Sequence, residues 1–289
     1  MKKIPIRKLS QLQQGVFAVD HFKIRRVEDI IGENGLFHDL HRHDFFFILA
    51  LQNGRGFHEI DFISYKLSDK VIFFLWPGQV HQLELKAGCS GYLIEFNTEF
   101  YQPSDKSPGL RLKKAGNKNY YKPGAGRYDK IQRLLALVLD EYNSKEGGYQ
   151  DIIRSSLDIF FTELVRLEQG SAAGKEVNSA HAYTQERFEE FLELLDRYIV
   201  THKQVAHYTA LMNLSSYQLN EITKTSIGKT ASELINEHIL LEAKRYLLAT
   251  PNQVKDIAGL LGYEDTSYFI RFFKKHIGHS PEVFRSNFK

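Results

Sequence analysis

The sequence predicts an α+β chain: a strand-rich first half, a helical hairpin, then an all-helical C-terminal third. Three observations carry this expectation. Between residues 22 and 96, short β-branched and aromatic runs recur at regular spacing and stop at Gly and Pro turns, the pattern of a sandwich or barrel. From Tyr128 the apolar period lengthens to that of a helix. Beyond a small, polar stretch at 170–182, short helical patterns run to the C-terminus, punctuated by Asn213, Gly228, Pro251, Gly262, Gly278 and Pro281.

A chain of 289 residues suggests about two domains, and 43% apolar residues suffice for real cores. The formal charge of +3 is too mild to announce nucleic acid. From Lys203 to Lys289, eleven Lys/Arg stand against eight Asp/Glu, a weak basic bias. Cys89 is the only cysteine, which excludes an intramolecular disulfide and fits a reducing cytoplasm. No apolar stretch approaches the roughly 20 residues of a membrane helix, and Pro5, Arg7 and Lys8 stand where a leader would be apolar. A cytoplasmic, nucleoid-associated chain is expected, with no membrane partner.

In chain order, residues 1–20 are polar and Gln-rich, an arm rather than a core element. Phe22, Ile24 and Val27 begin the strands. Phe45 to Leu51 is a continuous apolar strand, and Asn53-Gly54 predicts a hairpin into a second strand over 57–67. Gly54-Arg55-Gly56 belongs to that turn and is no phosphate loop, because no helix follows it. Val71 to Trp76 stops at Pro77-Gly78; His81 to Leu85 and Gly91 to Phe96 follow. Residues 102–126, with three Pro and four Gly, form a loop-rich transition. Two helices, Tyr128 to Tyr142 and Ile152 to Val165, turn at Gly147-Gly148. The expected division is 1–126 arm and barrel, 127–169 helical hairpin with a possible dimer contact, 170–182 linker, and 183–289 helical domain.

The C-terminal third repeats itself. Leu219, Lys224, Gly228 and Thr230 match Phe269, Lys274, Gly278 and Ser280 at an offset of fifty; Val205 and Leu214 match Val254 and Tyr263 at forty-nine. Two short helical patterns meeting at Gly262-Tyr263 form a helix-turn-helix, whose second helix suits the DNA major groove. The repeat makes a tandem pair. Phe269, Phe272 and Phe273 recur at i, i+3, i+4 and face inward, leaving Thr266, Ser267, Ile270, Arg271 and Lys274 outward. Arg271 can bond a guanine edge with two donors. Thr266 can cap the helix or touch a phosphate, and Lys274 suits a phosphate. In the first copy Leu219 and Ile222 face inward, and Ser216, Tyr217, Asn220, Glu221 and Lys224 outward; Asn220 could pair with adenine.

Three blocks carry a resemblance: Glu242-Ala243-Lys244-Arg245-x-Leu247-Leu248, then Asp256-Ile257-Ala258 with Gly262-Tyr263, then Ser267-Tyr268-Phe269-x-Arg271-x-Phe273-Lys274-Lys275 through Gly278, Ser280-Pro281 and Phe284-Arg285. Over roughly residues 184–289 the chain resembles the AraC family of bacterial transcription regulators. The resemblance implies double-stranded promoter DNA as partner, with two recognition helices in successive major grooves. Glu221 and His238 depart from it, since basic residues are usual at both positions. A carboxylate facing the groove repels phosphate unless it accepts from a cytosine amine.

The first half resembles a cupin barrel, through His41-Arg42-His43 and Pro77-Gly78-Gln79-Val80-His81. Metal cupins use such histidines with a Glu shortly after the first pair, and here Phe45 to Leu51 holds none. A three-His site is chemically possible, but regulators of this family carry His at these places without metal, so neither metal nor cofactor is expected. The resemblance implies instead a small-molecule effector in a pocket drawn from His41, His43, Phe47, Trp76, His81 and Tyr92, and a homodimer. It implies no enzyme. Rival readings are a constitutive regulator with a structural barrel, or a metal-dependent cupin enzyme.

Overall fold

The computed structural model describes residues 5–9, 21–101, 111–112, 114–116, 118–171 and 179–287. The chain divides into two compact units, Ile4–Ala173 and Gly174–Lys289.

The first unit is the expected strand-rich body. Its strands are β1 (Ile6–Arg7), β2 (Phe22–Arg26), β3 (Leu36–His43), β4 (Phe46–Asn53), β5 (Gly56–Ile60), β6 (Ile63–Lys66), β7 (Val71–Leu75), β8 (Val80–Leu85), β9 (Ser90–Phe96) and β10 (Tyr120–Tyr121). They form two five-stranded sheets, ordered β1-β3-β8-β5-β6 and β10-β7-β4-β9-β2. Residues from both sheets share one core, including Phe45, Phe47, Leu49, Ile60, Phe73, Leu83 and Leu93.

The second sheet is covered on its other face by two helices, α1 (Ala125–Ser144) and α2 (Tyr149–Ser171). There Phe46, Ile48, Ile72, Phe74, Ile94 and Phe96 meet Tyr128, Ile131, Leu135, Leu157 and Phe161. This double cover explains why Phe45 to Leu51 reads as an unbroken apolar run. β4 lies centrally between β7 and β9, and a strand buried on both faces has no polar alternation to show. Glu163 of α2 accepts from Lys130 of α1 at 2.8 Å, which ties the two helices together.

Two turns differ from expectation. Asn53-Gly54 is not a hairpin: β4 pairs with β7 and β9, whereas β5 pairs with β6 and β8. The segment through Gly54, Arg55 and Gly56 therefore carries the chain from one sheet to the other. The stretch 57–67 is two strands, reversed by Asp61-Phe62, both at positive φ (47° and 70°), the conformation a two-residue type I′ hairpin requires. The arm is also more than an arm within residues 5–9, since β1 pairs in parallel with Arg42 and His43 of β3 and Leu9 is buried in the shared core. The rest of 1–20 lies outside the described residues.

The second unit contains α3 (Ser179–Tyr198), α4 (Val205–Met212), α5 (Ser216–Ile227), α6 (Ala231–Ala249), α7 (Val254–Leu260), α8 (Thr266–Ile277) and α9 (Pro281–Asn287). Ser179 and Ala180, read as linker, already belong to α3; 172–178 lie outside the described residues. There are two cores with α6 common to both. Ala231, Ile235 and Ile239 of α6 join Phe191, Tyr208 and Leu219. Leu240, Ala243 and Leu247 join Ile257, Phe269, Phe273 and Phe284. Tyr263 and Phe272 touch both cores.

Candidate functional site

The repeat seen in the sequence is a repeat of capping devices. α5 and α8 are each 12 residues long and start fifty residues apart. Ser215 caps α5 in a capping box with Gln218, and Asp265 caps α8 by accepting from the Ser267 N–H at 2.7 Å. Thr266 is therefore the first helical residue and not the cap. Both helices end on a left-handed glycine, Gly228 (φ 74°) and Gly278 (φ 88°), which lets the chain reverse without a Cβ penalty. In the preceding turns the Leu214 N–H donates to Thr209 O and the Tyr263 N–H to Ala258 O, both at 2.9 Å. The one-residue difference in offset is Glu264, which the first turn lacks.

Gly262 in the second turn has no substitute. Its φ is 72°, and a Cβ there would lie 1.8 Å from Val200 O. Lys203 Nζ donates to both Val200 O and Gly262 O and sits 4.8 Å from the Tyr263 ring centre. This one ammonium joins the second turn to the start of the first motif. A groove of 700 Å³ opens beside it, lined among others by Lys203, Tyr263, Asp265, Tyr268, Arg271 and Lys275.

Of the residues assigned to a DNA face, Ser216, Tyr217, Glu221, Lys224, Ser267, Arg271 and Lys274 are exposed. Arg271 reaches outward and lies 3.8 Å from the Asp265 carboxylate. Thr266 and Ile270 are half-buried, with Ile270 packed on the second core. Asn220 departs most. Its Oδ1 accepts from the Ala231 N–H at 3.0 Å, and since an N–H can only donate, the amide orientation is fixed. That bond takes up one of the amide oxygen's two lone pairs, so Asn220 is tied to the start of α6 as well as half-buried. Tyr268, 57% exposed beside Tyr263, and exposed Lys275 are missed members of this face. On the helical wheel position 268 lies about 100° from the inward position 269, beyond 272 and off the buried stripe, which was the available signal.

Several residues of the family-like blocks are scaffold. Arg285 donates to Leu247 O at 2.8 Å and Asn252 O at 2.7 Å, closing the C-terminus of α6. Glu242 pairs with Arg245 on the same helix. His238 lies 3.7 Å from the Asp196 carboxylate.

Inside the first unit the structure gathers histidines. His41 pairs with His81 across β3 and β8, and β5 brings His58 opposite Leu83. An extra residue between His38 and His41 shifts the register of β3 against β8. Side chains alternate faces along a strand, so without that bulge His38 and His41 could not both point inward. His43 Nε2 lies 3.1 Å from His41 Nε2 and 2.7 Å from His81 Nε2. His81 Nδ1 meets His58 Nε2 at 2.9 Å, and His41 Nδ1 meets Asp39 O at 2.6 Å. His43 Nδ1 and His58 Nδ1 are buried with no hydrogen-bond partner among the described residues. Phe47 stacks on His43, 5.3 Å between ring centres at 10°. The Asp61 carboxylate accepts from the Val80 N–H and the Gln79 amide, holding the segment that carries His81.

Burial is the largest cause that lowers every imidazole pKa here: His38 and His41 to about 4, His58 to about 3, His43 to about 2, and His81 well below its ordinary value. At neutral pH all five are uncharged. His58 was missed in the sequence, although its alternation with Ile60 gave the signal. Trp76 and Tyr92 do not join the cluster. Both lie on the helix-covered face of the second sheet; Trp76 donates its indole N–H to Gly116 O at 3.0 Å, and Tyr92 sits opposite Ala50 of β4. Their strand parity is opposite to that of Phe47. Cys89 is buried and bonds the Arg55 backbone.

Residues 31–157 match the family model of an AraC-like ligand binding domain, and residues 208–287 that of a helix-turn-helix domain. The HTH-type transcriptional activator RhaS of Enterobacter sp. (strain 638) is 23% identical over 249 residues, 85% of this chain and 86% of its own length. The raffinose operon transcriptional regulatory protein RafR of Pediococcus pentosaceus is 29% identical over 113 residues, 39% of this chain and 37% of its own. Among solved structures, ToxT from Vibrio cholerae O395 covers 92% of this chain and 97% of its own at 15% identity, with a TM-score of 0.42.

Proposed function

The chain belongs to the AraC family of transcription regulators, and from that premise we propose that it places α5 and α8 in successive major grooves of promoter DNA under the control of a small effector held in the strand-rich unit. The observation that carries this reading is the pair of equally long helices fifty residues apart, each capped by a side chain at its start, ended by a left-handed glycine and given a solvent-facing side. Arg271 reads a guanine edge. Ser267, Lys274 and Lys275 contact phosphates, Tyr217 and Glu221 face bases from the first helix, and Lys224 meets its phosphates.

The effector pocket is drawn from His41, His43, Phe47 and His81, with His58 added and without Trp76 and Tyr92. The exposed apolar residues Leu137 on α1 and Ile152 and Ile159 on α2 support a homodimer through the helical hairpin. No helix among the described residues is long and apolar enough to cross a membrane.

Gel-shift titration with promoter DNA tests the first part. Arg271→Ala is expected to weaken specific binding by roughly 1–3 kcal/mol, about tenfold or more, and to relax the choice of base at one operator position. An unchanged specific affinity removes Arg271 as the reader.

A further inference from the structure

Lys203 belongs to neither reading helix; it stands two residues before α4. Its ammonium is nonetheless held in place. It donates to Val200 O at 2.7 Å and to Gly262 O at 2.9 Å, and the Tyr263 ring backs it at 4.8 Å. An ammonium has three donors and no acceptor, so one N–H remains, on a residue that lines the groove beside α8. Burial alone lowers the Lys203 pKa, with no acidic neighbour to raise it. A cation that has lost water without gaining a carboxylate is stabilised by any anion brought against it.

The groove shows which anion. α8 contributes Tyr268, Arg271 and Lys275 to it, while Lys203 and Asn236 of α6 enter from the side of the first motif. Its cations are Lys203, Arg271 and Lys275, and its carboxylates are Glu264 and Asp265. Asp265 already accepts from the Ser267 N–H at 2.7 Å and lies 3.8 Å from Arg271. Lys203 and the exposed Lys275 are left against Glu264, so the groove is positive. Small ligands are mostly enclosed by their sites, whereas here Tyr268 and Lys275 stand exposed, which suits an extended anionic strand. Where two helices read successive major grooves on one face of a duplex, what lies between them meets a minor groove and its bordering phosphates. Cations placed there contact backbone and not base edges.

We propose that this groove seats the DNA strand that runs between the two half-sites, and that Lys203 donates its remaining N–H to a phosphate of that strand, with Lys275 on a neighbouring one. The same ammonium bonds Gly262 O in the second turn and Val200 O before the first motif, so this phosphate is gripped by both motifs at once. The inference rests on the DNA-binding reading and adds to it a contact outside α5 and α8.

The test uses the full chain and an operator duplex that it selects from a random-sequence pool. Neutral methylphosphonates replace the phosphates between the half-sites, one position at a time. The parent should lose affinity at a short run of these positions. Lys203→Gln keeps two N–H donors for the carbonyls but no charge. It should lose the response at one of those positions, and its plot of log affinity against log salt should be shallower by about 0.9. Lys203→Met, which keeps the apolar stem, should behave as Lys203→Gln does. Lys229→Met removes an ammonium already paired with Glu237 at 2.7 Å and should keep the parent's response. Spacer substitutions that leave the parent's affinity unchanged overturn the proposal, and this arm needs no variant to fold. A parent-like response in Lys203→Gln, shown by circular dichroism to be folded, overturns it equally. If no duplex is selected, the DNA-binding reading falls and the proposal with it; a selected operator with an unresponsive spacer removes the proposal alone.

Discussion

At the scale of single residues, two glycines in left-handed geometry separate two physical costs. Gly228 and Gly262 share nearly the same φ, 74° and 72°. A Cβ on Gly228 meets none of the described residues within 4 Å, whereas one on Gly262 runs into Val200 O. Gly228→Ala should therefore cost only the left-handed penalty of about 1 kcal/mol. Gly262→Ala adds a backbone collision and should cost at least about 3 kcal/mol. Urea melts followed by far-ultraviolet circular dichroism would give both numbers.

The buried imidazoles make a second prediction. An unfolded His titrates near pH 6.5, while burial keeps His41 and His58 neutral down to about 4 and 3. The unfolded chain therefore takes up protons first as pH falls. Stability from these groups is fully present above about pH 6.5 and is lost steadily toward pH 4, by up to about 1.4 kcal/mol per pH unit for each imidazole. The single tryptophan, Trp76, lies in this unit, so fluorescence-detected urea midpoints would read the loss directly. A flat profile over that range would show the histidines to be solvated.

Legibility in the sequence also divides at this scale. His41, His43 and His81 were visible because they stand in short, recognisable blocks. The exclusion of Trp76 and Tyr92 was not, because parity depends on which neighbouring strand sets the face. The bulge in β3 adds to this, since it changes which residues of one strand look inward.

At the scale of elements, helices were easier to read than strand connections. A helix carries its period and its caps in local sequence, so α5 and α8 were legible to their terminal glycines. Strand partners are chosen by distant residues. Asn53-Gly54 has the composition of a hairpin and makes a crossover, whereas Asp61-Phe62 lacks glycine and makes the hairpin. Tertiary pairing overrides local turn preference at both places.

The caps themselves can be weighed. Ser215→Ala removes the acceptor for the Gln218 N–H and should cost about 1 kcal/mol. Asp265→Ala removes a comparable cap and also the carboxylate 3.8 Å from Arg271. Stability should fall similarly in both, but Asp265→Ala should leave non-specific DNA affinity unchanged or stronger, because an acidic group near phosphate is gone. Melting and gel-shift measurements on the same two variants would separate the effects.

At the scale of the whole molecule, the chain pairs a strand-rich unit with a tandem helix-turn-helix unit, and each is built round cores of its own. What joins the two readers is α6, a helix of 19 residues, roughly 28 Å long at 1.5 Å per residue. Its two halves are set into different cores, and Tyr263 and Phe272 touch both. Lys203 adds a polar tie between the second turn and the start of the first motif.

That arrangement makes α6 a ruler with no slack, and DNA is a screw. Each added base pair turns the second half-site by about 34–36° and moves it about 3.4 Å along the axis. Inserting one base pair between the sites read by α5 and α8 should thus cost far more than changing a base within either. Five inserted base pairs, half a turn, should reduce binding to that of one motif alone, and a gel-shift series of spacer lengths would reveal it. For a regulator built this way, mutation of its promoters can adjust the letters of a site freely but not the distance between them.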